Sequence, residues 1–262
     1  MRVGFIGAGR MGRPMVDRLV ASGHEVRVLG RSPEARAALR TAGAVPVADA
    51  AEVAAGAAAV CVCVFSDDQV RDVCLGTALL AAMPPEAVLV LHTTGSPATA
   101  AAIAARGGAV IDCPVSGGPH DIAARRVTLF AGGAAEHVER VRPVLAAYGD
   151  PVLHVGPLGA GQGVKLVNNA VFAANIGLLA EAVRLGEEFG VAEDVLLGAL
   201  PHGSAASRAL AAAAGRGSVA AFAAAVREFL GKDVAVVRAA AAERGTGLGA
   251  LEEAIRRLPG QA

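Results

Sequence analysis

The chain carries no net charge, with 24 lysines and arginines against 24 aspartates and glutamates in 262 residues. Lacking a surplus of positive charge or a basic stripe, it is not expected to bind nucleic acid or an acidic membrane surface. Cysteine is scarce: Cys61, Cys63, Cys74 and Cys113 form no CxxC pair. Cys61 and Cys63 would point to one face of an apolar strand, so reduced buried thiols are expected and no metal site. The N-terminus runs from Phe5-Ile6 into glycines instead of a long apolar segment. No span of 18 or more apolar residues stands out, so no membrane crossing is expected and the cytoplasm is the default location. What is abundant is core material. At 54% hydrophobic residues the chain suits one large or two medium globular domains.

In chain order, Arg2 to Ile6 reads as a strand and Gly7-Ala8-Gly9-Arg10-Met11-Gly12 as a glycine turn. A helix from Arg13 to Ala21 and a second strand, Glu25 to Leu29, follow. In that context GxGxxG has a mechanism: Gly7 makes the tight turn, Gly9 admits a pyrophosphate to the backbone, and Gly12 lets helix and strand pack closely. No carboxylate stands at Leu29-Gly30-Arg31-Ser32. A guanidinium and a hydroxyl in its place favour NADP over NAD, while NAD stays possible. Further apolar runs at 45–47, 58–65 and 87–91, with helical stretches at 48–55, 67–75 and 97–105, suit a parallel sheet covered on both faces. Phe65-Ser66-Asp67-Asp68 and His92-Thr93-Thr94-Gly95-Ser96 lie at two strand ends and are candidates to line a cofactor cleft. Ser66, Asp67 and Ser96 equally suit helix caps.

Ser116-Gly117-Gly118 offers a hydroxyl and open backbone N–H groups to a carboxylate, although by itself it also reads as a plain turn; His120 and Asp121 read as loop residues. Strands at 127–131 and 152–155 flank a helix at 135–148. A glycine-rich stretch then breaks the alternation, and the rest is helical in pattern, broken at 201–204 and 215–218. The expected fold is α/β, a Rossmann-type doubly wound sheet over 1–160 followed by an all-α domain over 161–262. The helix of greatest interest reads as Val164 to Leu185. Lys165 would sit in its first turn, where the helix dipole disfavours an ammonium and makes a usable acid or base; Asn168 and Asn169 share its face. The same window also suits a solvated lysine with two surface amides.

The order of these motifs resembles the β-hydroxyacid dehydrogenase family, which includes 3-hydroxyisobutyrate dehydrogenase and is related to 6-phosphogluconate dehydrogenase. The resemblance rests on the residues from Gly7 to Met15, Asp112 to Gly118, Gly161 to Asn169, and Gly231-Lys232-Asp233-Val234. It implies Lys165 as the catalytic lysine with Asn169 as its substrate-orienting partner, and Ser116, Gly117 and Gly118 as holders of a substrate carboxylate. It also implies cofactor contacts from Thr94 and Lys232, beside the candidates that the residues themselves offer at Gly7, Ala8, Gly9, Arg10 and Met11 in the glycine turn, at Arg31 and Ser32, and at Phe65 and Ser66. The chain departs from the family at Phe65-Ser66, where leucine-proline is frequent, at Ile122, and at Arg125-Arg126, where glycine-threonine is common. It also ends sooner than is usual for the family.

The function these features imply is hydride transfer between a nicotinamide and a small 3-hydroxy acid, with lysine as general acid or base. Two other readings compete: an aldehyde or imine reductase of the same superfamily, and a regulator that binds NADPH without turnover. A lysine at position 165 counts against the imine version. Val164 to Leu185 is apolar around much of its circumference, which suits burial against other helices or a second subunit, and the resemblance implies a homodimer or homotetramer.

Overall fold

Short apolar strands alternate with helices through the first half of the chain. The order is β1 (Arg2–Ile6), α1 (Gly12–Ala21), β2 (Glu25–Leu29), α2 (Pro33–Thr41), β3 (Val45–Val47), α3 (Ala50–Ala54), β4 (Ala59–Val62) and α4 (Asp67–Leu75). Then come α5 (Leu79–Ala82), β5 (Val88–Leu91), α6 (Pro97–Ala104), β6 (Ala109–Asp112), β7 (Val115–Ser116), α7 (Pro119–Ala123), β8 (Val127–Gly132), α8 (Ala135–Leu145) and β9 (Gly149–Gly156). The computed structural model describes residues 1–260. It contains two compact units, Met1–Lys165 and the residues from Leu166 onward.

In the first unit nine strands form one sheet in the order β3-β2-β1-β4-β5-β6-β8-β7, with β9 paired to β8. Strands β1 to β6 pair in parallel, as their continuous apolar runs imply. The sheet is nevertheless mixed, because β8 runs antiparallel to β6 and β7 and only β9 follows it in parallel. Alternation along the strands feeds two cores. Ala59, Cys61, Val88 and Val90 join a cluster with α1 and α8, whereas Val60, Val62, Leu89 and Leu91 join one with α3, α4 and α6. Both faces of the sheet are therefore covered, and the strand ends are left as the place for ligands.

Helices make up the second unit. Helix α9 (Ala160–Glu188) begins in the first unit and continues into the second, followed by α10 (Glu193–Ala199), a 3₁₀ turn at Leu200–His202, α11 (Arg208–Ala214), α12 (Val219–Ala242) and α13 (Ala250–Ile255). Ser207 and Ser218 cap α11 and α12, accepting bonds from Leu210 N at 3.1 Å and Ala221 N at 3.0 Å. The core gathers Ala173, Ile176, Leu197, Leu210, Phe222 and Val226. Small residues permit close approach: a Cβ on Gly177 would strike the Ala254 carbonyl. By length and composition α9 is apolar enough to cross a membrane, contrary to the sequence expectation that no such span exists. The polar residues Lys165, Asn168 and Asn169 interrupt the run without lowering its average enough. A core helix meets the same criterion, and α9 supplies Ala173, Ala174 and Ile176 to the helical core.

Candidate functional site

The glycine turn after β1 is built by steric exclusion. Gly7 has φ +99°, and a Cβ on it would collide with the Cys63 carbonyl, while one on Gly12 would meet the Gly7 carbonyl and the Phe5 ring. Gly9 differs, since a Cβ there meets nothing within 4 Å. Helix α1 starts after Met11 with no side-chain cap on its N-terminal N–H groups. Together with the space over Gly9, this makes a cradle that fits a pyrophosphate. Ala8 and Met11 are half-buried, and Arg10 is exposed beside them. At the end of β2, Ser32 caps α2 by accepting from Ala35 N at 3.1 Å, and Arg31 is exposed. A carboxylate stands nearer than the segment Leu29 to Ser32 indicated. Glu34 lies in the first turn of α2, where bonds from its own backbone N–H and the Ser32 hydroxyl lower its pKa.

Buried polar side chains concentrate elsewhere. Among the described residues they are His92, Thr93, Thr99, Asp112, Gln162, Asn169 and Asp233. Five of them are in the first unit, at the ends of β5 and β6 and the start of α9 or close to them. Asp112, at the end of β6, is fully buried; its Oδ1 accepts from Gly159 N at 2.6 Å and its Oδ2 from Gln162 N at 2.5 Å. It therefore caps α9 from a strand 50 residues away in sequence. Burial raises its carboxyl above the usual value, and the bonds to Gln162 and Gly159 oppose that rise without reversing it. Gln162 holds the β5 loop: its Nε2 donates to Thr93 O at 2.8 Å and its Oε1 accepts from Gly95 N at 3.0 Å. The Thr93 hydroxyl accepts from Val64 N at 2.9 Å and donates to Val64 O at 3.0 Å, joining the β4 and β5 loops.

Only part of the segment from His92 to Ser96 faces outward. Thr94 is half-buried, but His92 is a core residue, bonded through Nδ1 to Cys113 O at 2.7 Å and through Nε2 to Tyr148 Oη at 2.8 Å. Its burial pulls the imidazole down to about 4, and burial pushes the neighbouring Cys61 thiol up to about 12, so neither is poised for chemistry. Ser66 and Ser96 cap α4 and α6, accepting from Gln69 N at 3.2 Å and Ala98 N at 3.1 Å. Asp67 serves α6, accepting from Ser96 N at 3.0 Å and from the Thr99 hydroxyl, and within its own helix it pairs with Arg71 at 3.6 Å. Phe65 is exposed, and its backbone N–H donates to Gln69 Oε1 at 2.9 Å.

The serine-glycine-glycine stretch departs from expectation. Ser116 ends the short strand β7, opposite Thr128, and Gly117 follows at φ +138°. The Gly118 N–H is not open to a ligand, because it donates to Asp121 Oδ2 at 2.8 Å. His120 and Asp121 accordingly lie in α7 and not in a loop. Arg125 has φ +57°, a left-handed conformation, at a place where the related family commonly has glycine.

Helix α9 starts at Ala160, four residues before the sequence reading placed it. The reason is steric. Gly161 looks like a breaker, but a Cβ on it would press on the Phe130 and Asp112 carbonyls. Lys165 is half-buried and lies in the second turn, and the anionic Asp112 sits at the positive end of the helix. The dipole effect fades beyond the first turn, so the first-turn ground for an activated lysine falls away. Asn169 is buried one turn further along. Within the second unit its Nδ2 donates to Asp233 Oδ2 at 2.5 Å, and its Oδ1 accepts from Asn168 Nδ2 at 3.0 Å. Lys232 Nζ pairs with Asp233 Oδ1 at 2.7 Å, and that carboxylate is buried, so the pair is not the surface arrangement its sequence suggests.

Asp112 and Gln162 were given no role from sequence, although both fall inside the motifs. Their partners lie 47 to 69 residues away, and no periodicity reports such pairings.

Two family models cover the chain. Residues 2–156 match the NAD binding domain of 6-phosphogluconate dehydrogenase, and residues 159–257 match the NAD-binding domain of NADP-dependent 3-hydroxyisobutyrate dehydrogenase. An NAD-dependent L-serine dehydrogenase from Pseudomonas aeruginosa is 35% identical over 214 residues, 80% of this chain and 72% of its own. A 3-hydroxyisobutyrate dehydrogenase from the same organism is 34% identical, over 79% and 72% respectively. The solved structure of Mycobacterium tuberculosis 3-hydroxyisobutyrate dehydrogenase with L-serine superposes with a TM-score of 0.86 at 27% identity, covering 97% of this chain and 91% of that one.

Proposed function

The chain belongs to the β-hydroxyacid dehydrogenase family, and from that premise we propose that it interconverts a small 3-hydroxy acid and its carbonyl form, preferring NADP. It is an NAD(P)-dependent oxidoreductase. The observation that carries the finer reading is the succession on α9 of half-buried Lys165 and, one turn later, buried Asn169, whose carboxamide is fixed by Asn168 and Asp233. Such a pair can move a proton and orient an oxygen.

The nicotinamide, when bound, supplies or accepts the hydride. In oxidation the Lys165 amine takes the hydroxyl proton, and in reduction the ammonium returns it, a contribution typically worth about 10²- to 10⁴-fold. Asn169 has its Oδ1 and one N–H engaged, leaving its second N–H for the reacting oxygen. Ser116 and the Gly117 N–H hold the acid group, with Gly118 shaping the loop through its bond to Asp121. Gly7, Ala8, Gly9, Arg10 and Met11 form the pyrophosphate cradle, and Thr94 approaches the nicotinamide side. Phe65, Ser66 and Lys232 complete the cofactor contacts. Arg31 and Ser32 receive the 2′-phosphate, with Glu34 as a counterweight to that preference. Two relatives are named for 3-hydroxyisobutyrate and L-serine, both 3-hydroxy carboxylates, which supports this substrate class.

Association and location belong to the same proposal. Val164, Val167, Val171, Leu178 and Leu185 form an exposed apolar stripe along α9 at helical spacing, and a second copy of the chain would cover it. Sedimentation of the purified protein should show a dimer or tetramer, in keeping with a cytoplasmic enzyme. The function is tested by titrating NADPH and NADH, then assaying 3-hydroxyisobutyrate and L-serine, with Arg31→Asp alongside. Turnover of either acid, with NADPH bound more tightly and that advantage lost in Arg31→Asp, is the expected result. NADPH binding without turnover on any hydroxy acid or aldehyde would favour the regulator instead.

A further inference from the structure

We propose that Gln162 is a positioning residue that holds the Thr94 loop and the Lys165 helix at a fixed spacing. This inference rests on the reading of Lys165 as the proton-transfer group. Gln162 is 3% exposed, and both ends of its carboxamide are used on the backbone either side of Thr94. The donor reaches Thr93 O at 2.8 Å and the acceptor takes Gly95 N at 3.0 Å. Its own backbone N–H is fixed by Asp112 Oδ2 at 2.5 Å. Three residues later on the same helical face comes Lys165, at a spacing that brings side chains of neighbouring turns together.

One side chain therefore joins the loop assigned to the nicotinamide side and the helix carrying the acid or base. The Thr93 hydroxyl extends the same block to Val64 at the end of β4. Only a carboxamide can serve both ends: a glutamate would set an oxygen against the Thr93 carbonyl, and a methionine would satisfy neither group. Hydride and proton transfer need reacting groups placed to within a fraction of an ångström, and a misplacement of about 1 Å can cost about 10²-fold.

The test compares Gln162→Met and Gln162→Glu with the parent, using whichever of 3-hydroxyisobutyrate and L-serine the parent oxidises. In both variants kcat should fall about 30- to 100-fold. Substrate KM and NADPH Kd should stay within about threefold, and the primary isotope effect with deuterated substrate should rise as hydride transfer becomes limiting. Amide hydrogen exchange at Gly95 should quicken in both variants, more in Gln162→Met; this readout needs no turnover and, in Gln162→Glu, survives poor folding of the methionine variant. A role limited to stability would lower Tm and leave kcat per folded molecule and the isotope effect unchanged. That result, or unchanged exchange at Gly95, overturns the proposal. Lys165→Ala measured in parallel separates the two ideas: full turnover there removes the reading of Lys165, whatever Gln162 does.

Discussion

The two units each bury one aspartate, and they satisfy it in opposite ways. Asp112 in the sheet unit is held by two backbone N–H groups at the start of α9, while Asp233 in the helical unit is held by an asparagine carboxamide and a lysine ammonium. Backbone donors belong to the fold and cannot turn away without unwinding a helix. Side-chain donors can re-aim, and here they are residues to which the family resemblance gives chemical roles. The difference separates a carboxylate held by the fold of its own unit from one held by side chains that the proposed function uses, and it can be broken experimentally.

Asp112→Ala should have the largest effect. It strands the buried Gln162 N–H and the part-buried Gly159 N–H and removes the carboxylate from a helix start, so a loss of about 3 kcal/mol or more is expected from hydrogen bonds to a charged group, read as a fall in Tm. Next comes pH. His92 is neutral and buried with a pKa near 4, whereas the unfolded chain protonates near 6.5. Its contribution is thus complete above about pH 6.5 and is lost as pH falls toward 4. Between pH 7 and pH 5 a shift of that size costs about 2 kcal/mol, which His92→Gln should abolish in denaturant titrations at the two pH values. Asp233→Asn should change stability by no more than about 1 kcal/mol while lowering kcat about tenfold, by releasing the Asn169 carboxamide. If it instead unfolds the protein as Asp112→Ala does, the two carboxylates do the same work. The smallest effect belongs to Arg125→Gly, which relieves φ +57° and loses the bond to Ala146 O. The net should be a gain below about 1 kcal/mol in thermal unfolding.

The same division governs what the sequence could tell. The glycine turn was legible because Gly7, Gly9 and Gly12 act within a few residues of one another, and the strands were legible because burial on both faces writes itself as continuous apolar runs. The start of α9 was not, since Gly161 reads as a break until the Phe130 and Asp112 carbonyls are seen packed against it. His92 looked like a cleft residue from its place at a strand end, and Cys113 and Tyr148, 21 and 56 residues away, make it part of the core. Gly118 looked open, but Asp121 three residues on takes its N–H. Elements as short as β7 and α7 leave no period to detect. Order and chemistry of motifs were local, whereas the hydrogen bonds fixing their geometry were not.

Lys165→Ala tests the central claim most directly, with NADPH binding and turnover of 3-hydroxyisobutyrate and L-serine measured on the same preparation. The account predicts NADPH affinity within about threefold of the parent and turnover lower by at least about 10²-fold. A variant that binds NADPH and turns over at the parental rate would contradict it.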